Sequence, residues 1–271
     1  MSAQPQTTYI HGSHESVLRS HKWRTVANSA AYLIPHLKPG LKVLDVGCGP
    51  GTISVDIASY VPGGHVTGLE YDPAIVEHAR AHAAERGAAD VAFVQGDAHA
   101  LPFADSTFDV VHAHQVLQHI AEPVRALREM RRVARPGGVV AAREADWAAF
   151  TWFPDTPGLG EWHALAQRVN RAYGGEPHAG RRVKAWARAA GFDAARISCS
   201  AATWCFSTPE EREWWGGRMA ERIATAGFTK GAVELGASAE DLERLSQAWR
   251  TWIQEEDGWF VLLHGEIICQ V

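Results

Sequence analysis

Three acids and three glycines stand where residue type and spacing allow chemistry. Asp45 lies inside an apolar run, "VLDVGCGPG", that closes on Gly47, Gly49 and Gly51. Glu70 closes a second apolar run, "HVTGLEYD", and Asp97 a third, "VAFVQGDA". Glycine lets a backbone pass close to a ligand with no Cβ in the way. The helical spacing that follows, "GTISVDIASYV", would aim free N–H groups and the positive end of a helix dipole at the same place. A carboxylate ending the second run is placed to accept from two ribose hydroxyls. One ending the third run is placed to accept from an adenine amino group. A dinucleotide asks for GxGxxG, whose helix end faces a pyrophosphate. The spacing here is Gly47-x-Gly49-x-Gly51, and an acid inside the strand suits a ligand with positive charge and no phosphate. Ribose and adenine positions without a phosphate position point to S-adenosylmethionine (SAM).

The elements that must hold these residues alternate in type. "LKVLDVG", "HVTGLEYD", "VAFVQGDA", "FDVVHAHQVL" and "VVAAREADW" read as five strands. Between them, "PAIVEHARAHAAERG" reads as a helix with Pro73 at its start and Gly87 at its end. "EPVRALREMRRVARPGG" reads as a helix stopped by Pro136 and two glycines. Strand and helix alternating in this way predict a parallel sheet with helices on both faces. Ligands of such sheets sit at the carboxyl ends of the strands, where the acids and glycines above all fall.

Taken together, "VLDVGCGPG", "GLEYDP", "GDAHALPFADSTFDVV" and "LREMRRVARPGG" resemble the class I SAM-dependent methyltransferases, most of all the branch of ubiquinone and menaquinone biosynthesis. The resemblance covers about residues 40–145, with four motifs in register. It implies a doubly wound, mostly parallel, seven-stranded Rossmann-like sheet, with SAM as cofactor and S-adenosylhomocysteine as product. It also implies roles. Asp45, Gly47, Gly49 and Gly51 would face the methionine end. Glu70, with Tyr71 beside it, would hold the ribose, and Asp97 and Ala98 would lie near adenine. His114 and Gln115 would run along the methionine portion. Simpler readings stand beside these: Asp45 capping the glycine-turn amides, Glu70 a solvated strand-end acid, Asp97 a helix N-cap.

Methyl transfer from a sulfonium needs orientation and exclusion of water, and a base only where the acceptor must lose a proton. His114 and His119, after the fourth strand, are the candidate bases. Glu144, Asp146 and Trp147, ending the fifth strand, are the expected lining of the acceptor pocket. Cys48 is not expected to act as a nucleophile, because nothing pairs with it. His112 and His114 share a strand face but have no third ligand in reach, so no metal is expected.

Outside the motifs the chain divides into four parts. Residues 1–39 form an N-terminal segment and helix, "HGSHESVLRSHKWRTVANSAAYLI", and the stretch at its start, "TTYIHG", could lay Tyr9 or His11 on the cofactor. Residues 40–206 form the SAM-binding core, with added helices and a sixth strand after strand five. Residues 207–258 form a helical insertion that opens with a capping box, Thr208 and Glu211 around Pro209. Residues 259–271 form the last strand. The insertion carries two apolar helix faces and is expected to be either a lid on the pocket or the face of a homodimer. Ten of the eleven tryptophans lie at or beyond Trp147, which suits either a flat, ring-containing acceptor or the packing of added helices.

Composition narrows the partners. A net charge of −5 with no basic block disfavours nucleic acid. No apolar run approaches the roughly 20 residues of a membrane helix, and the start lacks a signal-peptide pattern. Four cysteines without CxxC spacing fit a reducing compartment, so a cytoplasmic protein is expected. The expected activity is methyl transfer to a small-molecule acceptor. Two alternatives remain open at this point: a nucleotide-dependent reductase, and a SAM-binding protein without transferase activity.

Overall fold

The apolar runs become the middle of one sheet in a computed structural model that describes residues 23–271. Five strands are parallel: β1 (Lys42–Val46), β2 (His65–Glu70), β3 (Val91–Gln95), β4 (Phe108–His114) and β5 (Ala134–Ala145). β8 (Trp259–Gln270) runs against them, and β6 (Thr151–Phe153) and β7 (Ile197–Phe206) each pair antiparallel with β8. The order is β3-β2-β1-β4-β5-β8-β6, with β7 also on β8. β7 runs along one edge of β8, from Ile197 opposite Cys269 to Phe206 opposite Phe260. β5 and β6 therefore share the other edge, Ala145 opposite His264 and Thr151 opposite Val261. β6 is thus β5 resumed after a break at Asp146–Phe150. It is an eighth strand beyond the seven expected, and three residues are too few to show an alternating pattern.

Alternate residues of the strands go to opposite faces. Leu44, Val46, Val111 and Val140 meet α4 (Pro123–Val133) and α6 (Ala179–Ala189) through Leu127, Met130, Val183 and Ala187. Val43, Val110 and Ala141 meet α1 (Val26–Ser29) and α2 (Thr52–Tyr60) through Val26, Ile53 and Ile57. Helices on both faces are what the strand–helix alternation predicts. α3 (Pro73–Glu85) starts on an Asp72 cap and Pro73. It stops at Gly87, φ +65°, where the amides of Gly87 and Ala88 bond the carbonyls of Ala84 and Ala83. Among the described residues no helix is long and apolar enough to cross a membrane.

The N-terminal region departs from the single helix expected. Its described part is a four-residue α1 followed by a 3₁₀ segment, Ala31–His36. Thr25 and Asn28 form a capping box, and the Asp56 carboxylate accepts the Val26 amide at 2.6 Å, so the helix begins at Val26. Residues before Trp23, including Tyr9 and His11, lie outside the described residues.

The insertion holds three helices rather than two: α7 (Pro209–Ile223), α8 (Ala226–Glu234) and α9 (Ala239–Ile253). α7 and α9 open on capping boxes, Thr208 with Glu211 and Ser238 with Asp241. α8 carries Gly227, Thr229 and Gly231, weak helix formers that hid it in the sequence. Packing selects it: a Cβ at Gly231 would lie 2.6 Å from the Tyr173 ring. Together with α5 (Leu159–Ala172), β6 and the near halves of β7 and β8, these helices enclose a second core. The Trp249 ring meets Trp162 edge-on at 4.7 Å, and Phe206 stacks on Trp215 at 4.6 Å. The apolar faces of the insertion are thus spent within the chain.

Trp249 is fully buried. Trp249→Ala should cost about 3–5 kcal/mol in denaturant unfolding, through lost transfer energy and an unfilled cavity. A loss below about 1 kcal/mol would mean that the insertion stands apart from the core.

Candidate functional site

The turn from β1 into α2 is built on three left-handed glycines: Gly47, φ +67°; Gly49, φ +55°; Gly51, φ +78°. A side chain there would be strained and would also collide. A Cβ at Gly47 would lie 2.4 Å from a Val116 methyl, and one at Gly51 2.6 Å from the Phe93 ring. The Gly47 and Cys48 amides both donate to the Leu69 carbonyl, at 2.7 and 3.0 Å, which ties the turn to the end of β2. Asp45 holds it from beneath. Its buried carboxylate accepts the Ser54 hydroxyl at 2.6 Å and meets His112 Nδ1 at 3.0 Å. It therefore joins β1, the first turn of α2 and β4, rather than capping the glycine amides. Burial raises the Cys48 thiol well above its ordinary range, which keeps it protonated.

Glu70 leans across the same turn. Its Oε2 accepts the Gly49 amide at 3.1 Å, and its Oε1 accepts the amides of Tyr71 and Asp72 at 2.7 and 3.2 Å. Burial raises its pKa against the pull of those three amides. It is a fixed group, not a solvated one. The Tyr71 side chain is 65% exposed beside it. Asp97, after β3, folds back on itself: Oδ1 accepts the His99 amide at 2.8 Å and meets His99 Nδ1 at 2.7 Å. This is a tight turn rather than a helix cap, because no helix follows. Ala98 packs on the core between β3 and α4.

The loop after β4 completes the rim. Glu144 is fully buried, and its carboxylate accepts the amides of Val116, Leu117 and Gln118 at 3.0, 2.9 and 3.1 Å. That loop is the one whose Val116 touches Gly47. Asp146, also buried, takes Arg181 through both guanidinium contacts, at 2.5 and 2.8 Å. Trp147 packs against the second core and stacks with Phe150 at 5.8 Å. The sequence reading made these three residues the acceptor pocket. The structure turns both side chains onto the chain itself, because a buried polar group must find hydrogen-bond partners.

His114 and His119 differ in setting. His114 is buried, with neither ring nitrogen hydrogen-bonded. Burial, then Arg24 and Arg143, hold it well below the ordinary histidine range. His119 ends a 3₁₀ turn with its Nε2 2.9 Å from the Gln118 amide nitrogen, and burial pushes it down to about 3. Both rings are neutral at pH 7, as a base must be, but bases this weak gain little in proton transfer. Gln115 takes a left-handed φ of +54° and lies between two residues that the sequence did not single out. Its Oε1 accepts Arg24 at 2.8 Å, and its Nε2 lies 2.8 Å from His264 Nε2. His264 in turn meets Arg143, and both rest on Trp204. Arg143 and His264 carried a signal, ionisable residues inside apolar strands. Arg24 carried none.

A family model described as a methyltransferase domain matches residues 37–193. An uncharacterized methyltransferase of Schizosaccharomyces pombe is 34% identical over 273 residues, covering 97% of this chain and 96% of that protein. A ubiquinone/menaquinone biosynthesis C-methyltransferase of Bdellovibrio bacteriovorus is 38% identical over 107 residues, covering 40% of this chain and 45% of its own. Among solved structures, the YcgJ protein from Bacillus subtilis matches with a TM-score of 0.59 at 21% identity, covering 89% of this chain and 97% of its own. At that identity the likeness is one of fold.

The Glu144 clamp has a pH signature. Burial pushes its carboxyl up to about 8, above the roughly 4.3 of an unfolded glutamate. The folded state then holds the proton more tightly. That contribution to stability is complete below about pH 4 and is lost as the pH climbs through about 8. Glu144→Gln keeps an acceptor oxygen and removes the titration. Between pH 5 and 9 the melting point of the unaltered chain should fall relative to that of the variant. Parallel profiles would show a carboxylate already ionised at pH 5.

Proposed function

As this chain belongs to the class I SAM-dependent methyltransferases, we propose that it transfers the methyl group of SAM to a small, ring-containing metabolite. The observation that carries this reading is convergence. The glycine turn, Glu70 and Asp97 stand at the carboxyl ends of three adjacent strands, β1, β2 and β3. The residues fit the cofactor. Gly49, at the middle of the turn, has no Cβ to block a close approach, and the amino end of α2 opens onto the turn. Glu70 Oε2 carries one amide and can accept one ribose hydroxyl. A second hydroxyl would compete with the 3.2 Å bond from Asp72. Asp97, with Ala98 beside it, serves the adenine, and Gly47, Gly49, His114 and Gln115 flank the methionine portion. Bound SAM supplies a methyl group already activated by the sulfonium, and S-adenosylhomocysteine is the product.

The chain's own residues then orient the acceptor and exclude water. Trp23 lies 5.2 Å from both Trp204 and Trp214, forming an aromatic wall whose Trp204 ring is 4.6 Å from that of His264. Flat rings suit a flat acceptor. The insertion contributes Trp214 to this wall. Its apolar faces are covered within the chain, which favours a pocket wall over a dimer face. His114 remains the candidate base for an acceptor that must lose a proton.

Calorimetry should give SAM and S-adenosylhomocysteine micromolar dissociation constants, about −8 kcal/mol, and no NADH binding. Incubation with SAM and a panel of quinols, phenols and amines should give a methyl mass gain. SAM binding without mass gain across the panel would favour a binding protein, and NADH binding without SAM binding would end the reading. Charge-assisted hydrogen bonds contribute about 1.5–3 kcal/mol each. Glu70→Ala should therefore weaken SAM binding about tenfold or more while circular dichroism stays unchanged. An unaltered dissociation constant would remove Glu70 from the ribose site.

A further inference from the structure

The turn after β3 uses a pattern that recurs in this chain and adds a ring that does not recur. Asp97 Oδ1 accepts the amide two residues on, that of His99, at 2.8 Å. Asp72 Oδ1 does the same with the Ala74 amide at 2.8 Å, and Asp193 Oδ1 with the Ala195 amide at 3.0 Å. Those two turns form with alanine at the second position, so the backbone bond suffices. At Asp97 the second position is histidine, and His99 Nδ1 lies 2.7 Å from the same Oδ1. A carboxylate only accepts, so Nδ1 carries the proton and donates. Oδ1 thus takes two donors, one for each lone pair, while Oδ2 accepts nothing from the described residues. The ring makes no other polar contact, since His99 Nε2 is buried without a partner. The His99 side chain is 15% exposed and that of Asp97 49%, so the ring is the shielded member of the pair and the carboxylate the open one. The turn is mounted on α4. Arg125 Nε donates to the His99 carbonyl at 3.1 Å. Glu129 Oε2 accepts the Leu101 amide at 2.9 Å, and Arg132 donates to the carbonyls of Leu101 and Phe103 at 2.9 and 2.8 Å. The Arg132 hydrogen bond holds the Glu129 carboxyl below its ordinary range, which keeps it an acceptor.

We infer that His99 is a positioning residue for adenine recognition: by saturating Oδ1, it leaves Oδ2 as the one acceptor that Asp97 offers the adenine amino group. The inference rests on the methyltransferase reading, which places the adenine at Asp97. A carboxylate turns about a terminal torsion that is broad and roughly two-fold, so its two oxygens exchange unless one is held. The backbone amide by itself would leave Oδ1 a free lone pair, and with it a second place for the amino group to bind. With Oδ1 held by two donors on a mounted turn, Oδ2 is aimed before the ligand arrives. Such pre-organisation raises affinity by removing an ordering cost from binding. It raises selectivity too, because a site built around one aimed acceptor rejects a ligand with no donor to meet it. Adenine has that donor in its amino group. A purine with hydrogen at the same position has none.

The test titrates the whole chain by calorimetry with S-adenosylhomocysteine and with its purine analogue, in which hydrogen replaces the adenine amino group. The unaltered chain should prefer S-adenosylhomocysteine by about tenfold or more. His99→Ala keeps the backbone turn, as the alanines at 74 and 195 do. It should cut the preference about threefold or more, while the analogue binds within about twofold of its affinity for the unaltered chain. His99→Asn sets an amide N–H near the place of Nδ1 and should restore most of the preference. Should His99→Ala fail to fold, His99→Phe fills the space of the ring without Nδ1 and should show the same fall. A loss shared equally by both ligands would mean that the ring serves the turn and not the adenine, and would overturn the inference. So would a preference that the variants leave unchanged, or equal affinity of the unaltered chain for the two ligands. Failure of S-adenosylhomocysteine to bind the unaltered chain would overturn the methyltransferase reading and the inference with it, whereas binding with an unchanged preference in the variants overturns the inference alone.

Discussion

Everything at the carboxyl ends of the strands depends on one steric constraint, the absence of side chains at Gly47 and Gly51. The chain must reverse from β1 into α2 through left-handed backbone, and two neighbours have moved into the space that a Cβ would fill. Val116 presses on Gly47 from the loop after β4, and Phe93 presses on Gly51 from β3. The same turn hangs on the Leu69 carbonyl and on Glu70. Three strand ends are thereby locked to one another. Glu144 extends the lock to β5, because its carboxylate fixes the loop that carries Val116. A buried carboxylate is costly, and three amides offset only part of that cost here, since burial still pushes the Glu144 carboxyl up to about 8.

The sheet face beneath α1 is unusually polar for a buried surface, and register explains why it is tolerated. His114, Arg143, Glu266 and Ser200 stand opposite one another across β4, β5, β8 and β7. One row further from the rim, Asp45 stands opposite His112. Opposite charges and donors thus meet as cross-strand neighbours, the arrangement in which such groups stabilise a sheet. The cover contributes through its backbone. The Asn28 carbonyl accepts from both Trp204 and Arg143, so the short α1 is held by the polar groups that it shields. An apolar face would have packed more simply.

The second core gives that side a stiff neighbour. β6 resumes β5 along β8, and the insertion returns to the same strand. The aromatic residues that pack it run without interruption from Trp249 and Phe260 through Trp215 and Phe206 to Trp214 and Trp23 at the rim. Large rings with few rotatable bonds fill such a volume at low entropic cost. The lopsided tryptophan content thus serves first as packing, and Trp204 is the member that meets the polar groups of the sheet face, His114, His264, Arg24 and Arg143.

Local chemistry by itself determined a good deal. The five parallel strands, α3 between Pro73 and Gly87, the Thr208–Glu211 box and the glycine turn follow from periodicity, caps and the φ that only glycine adopts easily. Those signals are written in neighbouring residues, so the sequence displays them. The direction in which a strand-end carboxylate turns is not local. Glu144 and Asp146 were legible as strand-end acids, but whether they face a pocket or the chain depended on the amides of residues 116–118 and on Arg181. The four-residue α1, the three-residue β6 and the glycine-containing α8 were decided by tertiary packing against weak or absent local preference. The meeting of Arg24, Gln115, Arg143 and His264 was decided there too. It joins residues up to 240 positions apart, from Arg24 to His264, and only the strand order of the folded sheet brings them within hydrogen-bonding distance.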